Sequence, residues 1–305
     1  MKQIKLAGTA LEVSQLCFGT AGFGKRIDKE TAFLMLDKFT EAGGNFIDTA
    51  AIYALDSTRG VSLSEETIGL YLKARPGTNL VVATKGAHYD LSTKEKRVNR
   101  RCIETDLDTS LRLLGLDKID LYWLHRDDPD MPIEEIIDIM EILVKAGKIE
   151  YYGASNYSTQ RLQKAKKYAK SIGAKGFSAV SDYWTPLTEN PGHPLSADTT
   201  LVGCTKDDLE ELADMALPLI PFSSTAKGWV AKGREKASEK LNLCFDNETN
   251  NKFRLMIQEK AEQENCPVQT ALLRYMWEYG KSIGLQIIPI TACSSIEQVE
   301  ELIKF

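Results

Sequence analysis

The chain alternates between short apolar runs and longer amphipathic stretches. The runs are typical of buried parallel strands, and the stretches have the apolar spacing of helices. The predicted strands are residues 17–20, 45–49, 80–84, 119–124, 150–154, 177–182, 219–222 and 286–290. The predicted helices are residues 29–42, 64–74, 99–114, 133–146, 158–171, 206–215 and 268–279. Eight strands in this alternation favour a closed (β/α)8 TIM barrel of the α/β class over a doubly wound sheet.

Signals at the ends of these elements agree with the pattern. Glycines that can end a helix follow four helical stretches, and helix-capping residues precede two of the predicted helices. The glycines are Gly43, Gly115, Gly147 and Gly173, and the capping residues are Ser158 and Thr205. Residues 4–6 and 11–13 predict an N-terminal β-hairpin with its turn at Gly8. We therefore expect a single domain over residues 1–305.

Two segments interrupt the alternation. Residues 186–205 are rich in Pro, Gly, Asn, Asp and Thr, and residues 226–251 carry alternating charges. We expect both to lie at the mouth of the barrel as loops that contact substrate or cofactor.

Composition narrows the function classes. No apolar run approaches the ~20 residues of a membrane span, and residues 1–6 lack the features of a secretory signal, so we expect a cytoplasmic protein. The net charge of −5 is interspersed, which argues against nucleic acid as a partner. Six cysteines without a C-x-x-C pair and three histidines without an H-x-H pair give no metal-site pattern. Oligomeric state is not indicated.

Polar residues stand at the predicted carboxyl ends of four strands, the face that carries the active site in such barrels. They are Asp48, Lys85, His125 and the pair Ser155–Asn156, with Tyr53 five residues beyond Asp48. Charged groups are costly to bury unless they are paired, so their clustering at strand ends indicates a site.

These residue types can together form a proton donor. The pKa of a tyrosine is about 10, and a nearby cation stabilises its phenolate. Lys85 can be that cation, Asp48 can pair with Lys85, and His125 can hydrogen-bond a carbonyl oxygen. A hydride must come from a cofactor, because no side chain supplies one.

The order and spacing of these residues resemble the aldo-keto reductase superfamily over essentially the whole chain. The matching motifs are Asn-Phe-Ile-Asp-Thr-Ala-Ala-Ile-Tyr at 45–53, Ala-Thr-Lys at 83–85, Asp-Leu-Tyr-Trp-Leu-His at 120–125 and Gly-Ala-Ser-Asn at 153–156. The resemblance implies a catalytic tetrad of Asp48, Tyr53, Lys85 and His125. It also implies reduction of a small-molecule carbonyl, or oxidation of the alcohol, with NADP as cofactor.

The same resemblance implies the cofactor contacts. Ser155 and Asn156 would hold the nicotinamide carboxamide, and Phe222 would stack on the nicotinamide ring. Ser223 and Ser224 would lie near the pyrophosphate. Further contacts are expected from Gly19, Thr20, Ser181, Ser294 and Gln298.

Two positions depart from the family pattern. Ser181 stands where the family usually has a glutamine that contacts the carboxamide, and the neighbouring Asp182 could substitute. Residues 288–295 lack the basic residue that usually holds the adenosine 2′-phosphate, which leaves Ser294 and Gln298. A 2′-phosphate normally takes charge-assisted donors, so NAD or dual use stays open beside NADP.

The sequence also suggests other interpretations. The glycines at 19–24 resemble a Rossmann fingerprint but have G-x-x-G-x-G spacing, and Lys25 and Arg26 follow them where a helix should begin. Lys85 could instead form a Schiff base, as in class I aldolases. A cofactor-binding regulatory subunit of low turnover is the third possibility. His88 and His193 match no family position, and no catalytic role is expected for them.

Overall fold

The parallel strands close into a (β/α)8 barrel in the structure, a computed structural model that describes residues 1–304. Six strands form a continuous parallel sheet. In chain order they are β3 (Cys17–Gly19), β4 (Phe46–Asp48), β7 (Val81–Gly86), β8 (Ile119–Leu124), β9 (Ile149–Ala154) and β10 (Ile290–Thr291). Their order across the sheet is β10-β3-β4-β7-β8-β9. Two antiparallel hairpins accompany them: β1 (Gln3–Lys5) with β2 (Glu12–Ser14), and β5 (Leu55–Asp56) with β6 (Val61–Ser62). The predicted fold and N-terminal hairpin are confirmed.

The last three predicted strands differ from the prediction: residues 177–182 and 219–222 form no regular strand, and only residue 290 of the predicted strand 286–290 lies in β10. Residues 177–182 and 219–222 join the barrel through isolated bridges. These are Ala154 to Val180, Val180 to Leu219, Tyr183 to Phe222, and Leu219 to Ile287. Prolines limit the pairing of the seventh and eighth strand segments, because a proline lacks an N–H and can only accept in a ladder. The carbonyls of Pro218, Pro221 and Pro289 accept from Val180, Ile290 and Cys17 at 2.9, 2.9 and 3.1 Å. The barrel therefore closes, but three of its strand pairings are sparse.

The seven predicted helices are confirmed to within three residues at each end. They are α1 (Lys29–Glu41), α2 (Leu63–Ala74), α3 (Arg100–Leu114), α4 (Ile133–Lys145), α5 (Thr159–Ser171), α6 (Lys206–Asp214) and α10 (Val268–Ser282). Ser158 and Thr205 cap α5 and α6 by accepting from Arg161 N and Asp208 N, as the sequence predicts. No helix among the described residues combines the length and apolar character of a membrane span.

The interpretation of residues 226–251 as a loop was wrong. They form a 3₁₀ helix (Ala226–Gly228), α7 (Trp229–Lys236), α8 (Glu239–Phe245) and the start of α9 (Glu248–Gln263). Buried Trp229 and Phe245 anchor this region, while the alternating charges lie largely on its outer side. Residues 186–205 have no helix or strand, as predicted, and α11 (Ile296–Leu302) completes the elements.

Side chains alternate between the two faces of each strand, and this period of two positions the site. A core cluster that includes Phe46, Val81, Leu121 and Tyr151 fills the inside of the barrel, closed at the amino-terminal end by Leu6 of the hairpin. Residues two or four positions further along each strand also point into the barrel, and these positions include the residues at the carboxyl ends. These are Asp48, Lys85, His125, Ser155, Ser181 and Phe222. The alternation therefore brings the sequence-predicted residues to one mouth of the barrel.

Candidate active site

A buried lysine connects an aspartate to a tyrosine at the carboxyl ends of β4 and β7. Lys85 Nζ donates to Asp48 Oδ2, to the Thr49 carbonyl at 3.1 Å and to the Tyr53 hydroxyl at 3.2 Å. The Lys85 and Asp48 side chains are 1% and 2% exposed, so the ion pair is removed from water. The three sequence-predicted residues thus form one contiguous group.

Tyr53 lies in the loop after β4 and is partly exposed, unlike its buried partners. Its backbone N–H donates to the Ala50 carbonyl at 3.0 Å, and its carbonyl accepts from the Ser62 hydroxyl at 2.9 Å. The next residue, Ala54, has φ +50°, in the left-handed region that turns the chain into the β5–β6 hairpin. The loop therefore fixes the tyrosine backbone while its hydroxyl faces Lys85.

His125, one residue beyond β8, completes the predicted tetrad. Its ring lies edge-on to Tyr53, with ring centres 5.8 Å apart and an interplanar angle of 81°. Burial, followed by the positive charge of Lys85, holds the pKa of His125 well below its ordinary value. The imidazole is therefore neutral at neutral pH, in a form that can donate a hydrogen bond to a carbonyl oxygen.

Burial and ion pairing oppose each other in the remaining groups. Burial raises the pKa of Asp48, against the effect of Lys85. Burial would lower the pKa of Lys85, but Asp48 and Tyr53 outweigh it and the net shift is upward. Burial also raises the pKa of Tyr53. Lys85 acts to lower the pKa of Tyr53, as the sequence suggested, but burial has the larger effect. Tyr53 is therefore a protonated phenol at neutral pH.

A second histidine, to which the sequence assigned no role, lies beside the tetrad. The His88 ring centre is 4.8 Å from that of His125 in an edge-on arrangement, and His88 Nδ1 is 2.9 Å from the Tyr89 carbonyl. Burial lowers the pKa of His88 to about 4, so it too is neutral. Its position three residues beyond Lys85, just after the end of β7, was the signal in the sequence that indicates it.

Ser155 and Asn156 lie beside His125, at the end of β9. The Ser155 hydroxyl donates to the Ser181 carbonyl at 2.6 Å. Asn156 Nδ2 donates to Ser155 Oγ at 3.0 Å and to the His125 carbonyl at 3.1 Å, and Asn156 Oδ1 accepts from Val202 N at 3.0 Å. The amide of Asn156 is thus engaged within the protein, while the Ser155 oxygen can still accept a hydrogen bond.

Asp182 holds the backbone of Asn156 in place. Its carboxylate accepts the backbone N–H of Asn156, which has φ +64°, and burial holds the pKa of Asp182 well above its usual range. This carboxyl therefore stabilises a left-handed turn. The hydroxyl of the adjacent Ser181 is buried without a hydrogen-bond partner among the described residues. Ser181 is the better placed of the two to bind a cofactor amide.

Phe222 follows Ser181 across the mouth, at the end of the seventh strand segment. It is only partly buried, and its ring lies 6.1 Å from that of Tyr183. The aromatic face of Phe222 and the unpartnered Ser181 hydroxyl fit the two needs of a nicotinamide, a stacking surface and an amide partner. The residues at this side of the mouth therefore suit a nicotinamide dinucleotide.

The other predicted cofactor residues are placed at the ends of the first, seventh and eighth strands. The Thr20 hydroxyl is buried and bonded to the Asp48 carbonyl at 2.9 Å, and Gly19 is packed so closely that a Cβ would lie 3.0 Å from Ile290. Ser224 donates to the Ile290 carbonyl at 3.0 Å, and Ser223 has φ +53°. These contacts shape the backbone around the mouth.

Ser294 and Gln298 lie further out, beyond β10 and on α11. Gln298 Oε1 accepts from Ser294 N at 2.8 Å and from Ser294 Oγ at 3.0 Å. Both are polar but neutral, so the structure pairs them with each other and adds no charge at this point.

Comparisons with known proteins identify a family for the chain as a whole. The model of the Aldo/keto reductase family matches residues 15–305. The chain is 29% identical to norsolorinic acid reductase stcV of Emericella nidulans, over 97% of this chain and 74% of that protein. It is 27% identical to the uncharacterized oxidoreductase YrpG of Bacillus subtilis, over 100% and 90%. It is 34% identical to aryl-alcohol dehydrogenase [NADP(+)] of Phanerodontia chrysosporium, over 58% and 49%.

Proposed function

The chain belongs to the aldo/keto reductase family and is an NAD(P)-dependent oxidoreductase, and we propose that Tyr53 is its proton donor in the reduction of an aldehyde or ketone. The observation that carries this proposal is the position of Lys85 Nζ, which contacts both Asp48 and the Tyr53 hydroxyl. A phenol beside a fixed cation can release its proton and return to the same hydrogen bond.

The residues divide the proton chemistry among them. A bound nicotinamide cofactor supplies the hydride that reduces the carbonyl carbon. Tyr53 gives its hydroxyl proton to the carbonyl oxygen, and Lys85 stabilises the phenolate that is left. Asp48 holds the Lys85 ammonium in place, and neutral His125 donates a hydrogen bond that orients the carbonyl oxygen.

For the cofactor we propose NADPH, with weak discrimination against NADH. A relative whose name specifies NADP(+) supports NADPH. The weak discrimination follows from Ser294 and Gln298, which are neutral and bonded to each other, since a 2′-phosphate gains most from charged donors. Ser155, Ser181 and Phe222 would hold the nicotinamide end.

For the substrate we propose a carbonyl attached to an aromatic ring. One relative is an aryl-alcohol dehydrogenase by name. In this chain, the mouth around Tyr53 carries further rings at His88, Tyr89, Tyr183 and Phe222. Such rings favour a flat aromatic substrate through stacking and edge contacts.

The geometry does not favour a Schiff-base role for Lys85. An amine nucleophile needs a lowered pKa, whereas the pKa of Lys85 is raised and its ammonium is engaged by Asp48, Thr49 and Tyr53.

The proposal is tested by fluorescence titration of NADPH and NADH, followed by turnover of a panel of aryl and aliphatic aldehydes and ketones with the tighter cofactor. We expect NADPH to bind more tightly by less than about tenfold and the aryl carbonyls to have the highest kcat/KM. Tight cofactor binding with no turnover above background across the panel would contradict the proposal and favour a regulatory subunit.

A further inference from the structure

The segment of residues 198–202, here called the strap, crosses the mouth of the barrel and holds Arg126. This arginine directly follows His125 and is buried. Its guanidinium donates to Asp198 Oδ2 at 2.8 Å, to Thr200 Oγ1 at 2.7 Å and to the His125 carbonyl at 2.8 Å. All three nitrogens are therefore used, two on the strap and one on the main chain of the histidine.

Asp198 anchors this end of the strap. Its Oδ1 accepts from Thr200 N at 2.9 Å and Thr200 Oγ1 at 2.6 Å, which closes a tight turn within the strap. Its Oδ2 accepts from Arg126 and from the Tyr89 hydroxyl at 3.1 Å. Asp198 thus joins the strap to the ends of β7 and β8 at once.

The other end of the strap reaches the same histidine from the opposite side. Val202 N donates to Asn156 Oδ1 at 3.0 Å, and Asn156 Nδ2 donates to the His125 carbonyl at 3.1 Å. The His125 carbonyl therefore accepts from two donors, and the orientation of each is set by the strap.

Because Arg126 is buried, the loss of its hydrogen-bond acceptors should affect the position of the main chain at His125. A buried guanidinium needs its acceptors, because an unpaired buried charge is strongly unfavourable. Without Asp198, Arg126 would have to move toward water, and it would release the His125 carbonyl as it did so. A shift of about 1 Å in a catalytic group can reduce a rate on the order of 10²-fold.

We propose that Asp198 is a positioning residue for the reduction, acting through Arg126 to fix the main chain at His125 and hence the hydrogen bond that His125 gives to the carbonyl oxygen. This inference rests on the proposed function. It assigns the otherwise irregular 186–205 segment a part in the chemical step in addition to covering the mouth.

The test compares Asp198→Ala with the wild-type protein, at a temperature well below both unfolding transitions. We expect kcat to fall by about 10- to 100-fold with an aryl carbonyl substrate, while the Kd for NADPH changes less than about twofold. Hydrogen exchange should accelerate at residues 198–204 and 124–127, since the strap and the end of β8 lose the ion pair between Asp198 and Arg126. A kcat within twofold of wild type, or a loss confined to NADPH affinity, would overturn the proposal.

Matched variants keep the test decisive if Asp198→Ala does not fold. Thr200→Val removes the hydroxyl that accepts from Arg126 Nε and closes the turn with Asp198, and we expect kcat to fall by about threefold to tenfold. Thr200→Ser keeps both contacts of the hydroxyl, and its kcat should stay near the wild-type value. Equal kcat values for the valine and serine variants would contradict the proposal that the strap positions His125. Asp207→Asn, at an exposed acid on α6, controls for charge.

Failure of the proposed function would be distinguishable. If the wild-type protein bound NADPH but reduced no carbonyl, the proposed function would fail. The comparison of hydrogen exchange would still show whether Asp198 fixes the main chain at His125. Unchanged exchange in Asp198→Ala would by itself contradict the positioning role of Asp198.

Discussion

The ammonium of Lys85 lies 3.2 Å from the Tyr53 hydroxyl and 4.8 Å from the centre of the same ring. The cation thus stabilises the tyrosine both through its oxygen and through the electron-rich ring. Because Lys85 is buried and paired with Asp48, it cannot relax toward water when Tyr53 changes its protonation state. The charge is thus fixed in advance at the place where a phenolate of Tyr53 would form in the proposed reaction, an arrangement that lowers a barrier.

Replacing the cation should cost both activity and stability. We expect Lys85→Met to reduce kcat by about 10²-fold, because the phenolate loses its stabilising charge. The variant should also lose about 3 kcal/mol of unfolding free energy, because Asp48 is left buried without a partner. Denaturant unfolding and steady-state kinetics measure the two effects. The double variant Lys85→Met, Asp48→Asn should recover much of the stability but not the activity, and recovery of activity would refute the role of the cation.

The pH dependence should reflect a tyrosine that stays protonated. Burial raises the pKa of Tyr53, so below that pKa the phenol keeps the proton that reduction requires. We expect kcat/KM for reduction to be nearly constant from about pH 6 to pH 9 and to fall only above about pH 10. Oxidation of the alcohol needs the phenolate and should increase with pH over the same range. A reduction rate that falls near pH 7 would point to another proton donor.

Glu65 on α2 should make the protein less stable as the pH rises. Its side chain is fully buried, Thr84 Oγ1 donates to it at 2.5 Å, and burial raises its pKa from 4.5 to about 7. The unfolded chain loses this proton at lower pH than the folded one, so stability falls between about pH 4.5 and pH 7. We expect Glu65→Gln to gain on the order of 2 kcal/mol at pH 8 relative to its effect at pH 5, measured by denaturant unfolding.

The neighbouring Glu66 provides the control for that experiment. It pairs with Arg59 near the surface, and this pairing lowers its pKa. Glu66→Gln should therefore be neutral or slightly destabilising at pH 8. If both variants responded alike to pH, the burial of Glu65 would not be the cause.

Gly153 should be required for packing beneath the site. A Cβ at this position would lie 2.3 Å from Trp123 Cζ3 and 2.8 Å from the Ala179 carbonyl, and Trp123 precedes His125 on the inward face of β8. We expect Gly153→Ala to destabilise the protein by about 1–3 kcal/mol and to lower kcat through displacement of the strand end. Gly203→Ala, where the nearest atom is 3.4 Å away, should have little effect on thermal unfolding.

The sequence identified the inward residues of the site because two regular features combine. Period-two alternation directs Asp48, Lys85 and His125 into the barrel, and parallel strands bring their carboxyl ends together. Neither feature depends on which residues distant in the sequence contact each other. The prolines at 218, 221 and 289 were visible in the sequence, and they explain why the last strands are short.

Other features depend on contacts that no local pattern encodes. The engagement of Asn156 by Val202 and of Arg126 by Asp198 joins residues 46 and 72 positions apart. The helices between 226 and 263 were missed because their apolar residues, such as Trp229 and Phe245, are sparse among charges. Whether a polar side chain serves the fold or a ligand is decided by such partners.

The role of Tyr53 is tested most directly by Tyr53→Phe. The matched control is Tyr168→Phe on α5, whose hydroxyl donates to Asp138 on α4. Single-turnover reduction of an aryl aldehyde should fall by at least about 10³-fold in Tyr53→Phe, while the Kd for NADPH stays within about twofold of wild type. Tyr168→Phe should leave both unchanged. If Tyr53→Phe kept more than about a tenth of the wild-type rate, Tyr53 would not be the proton donor.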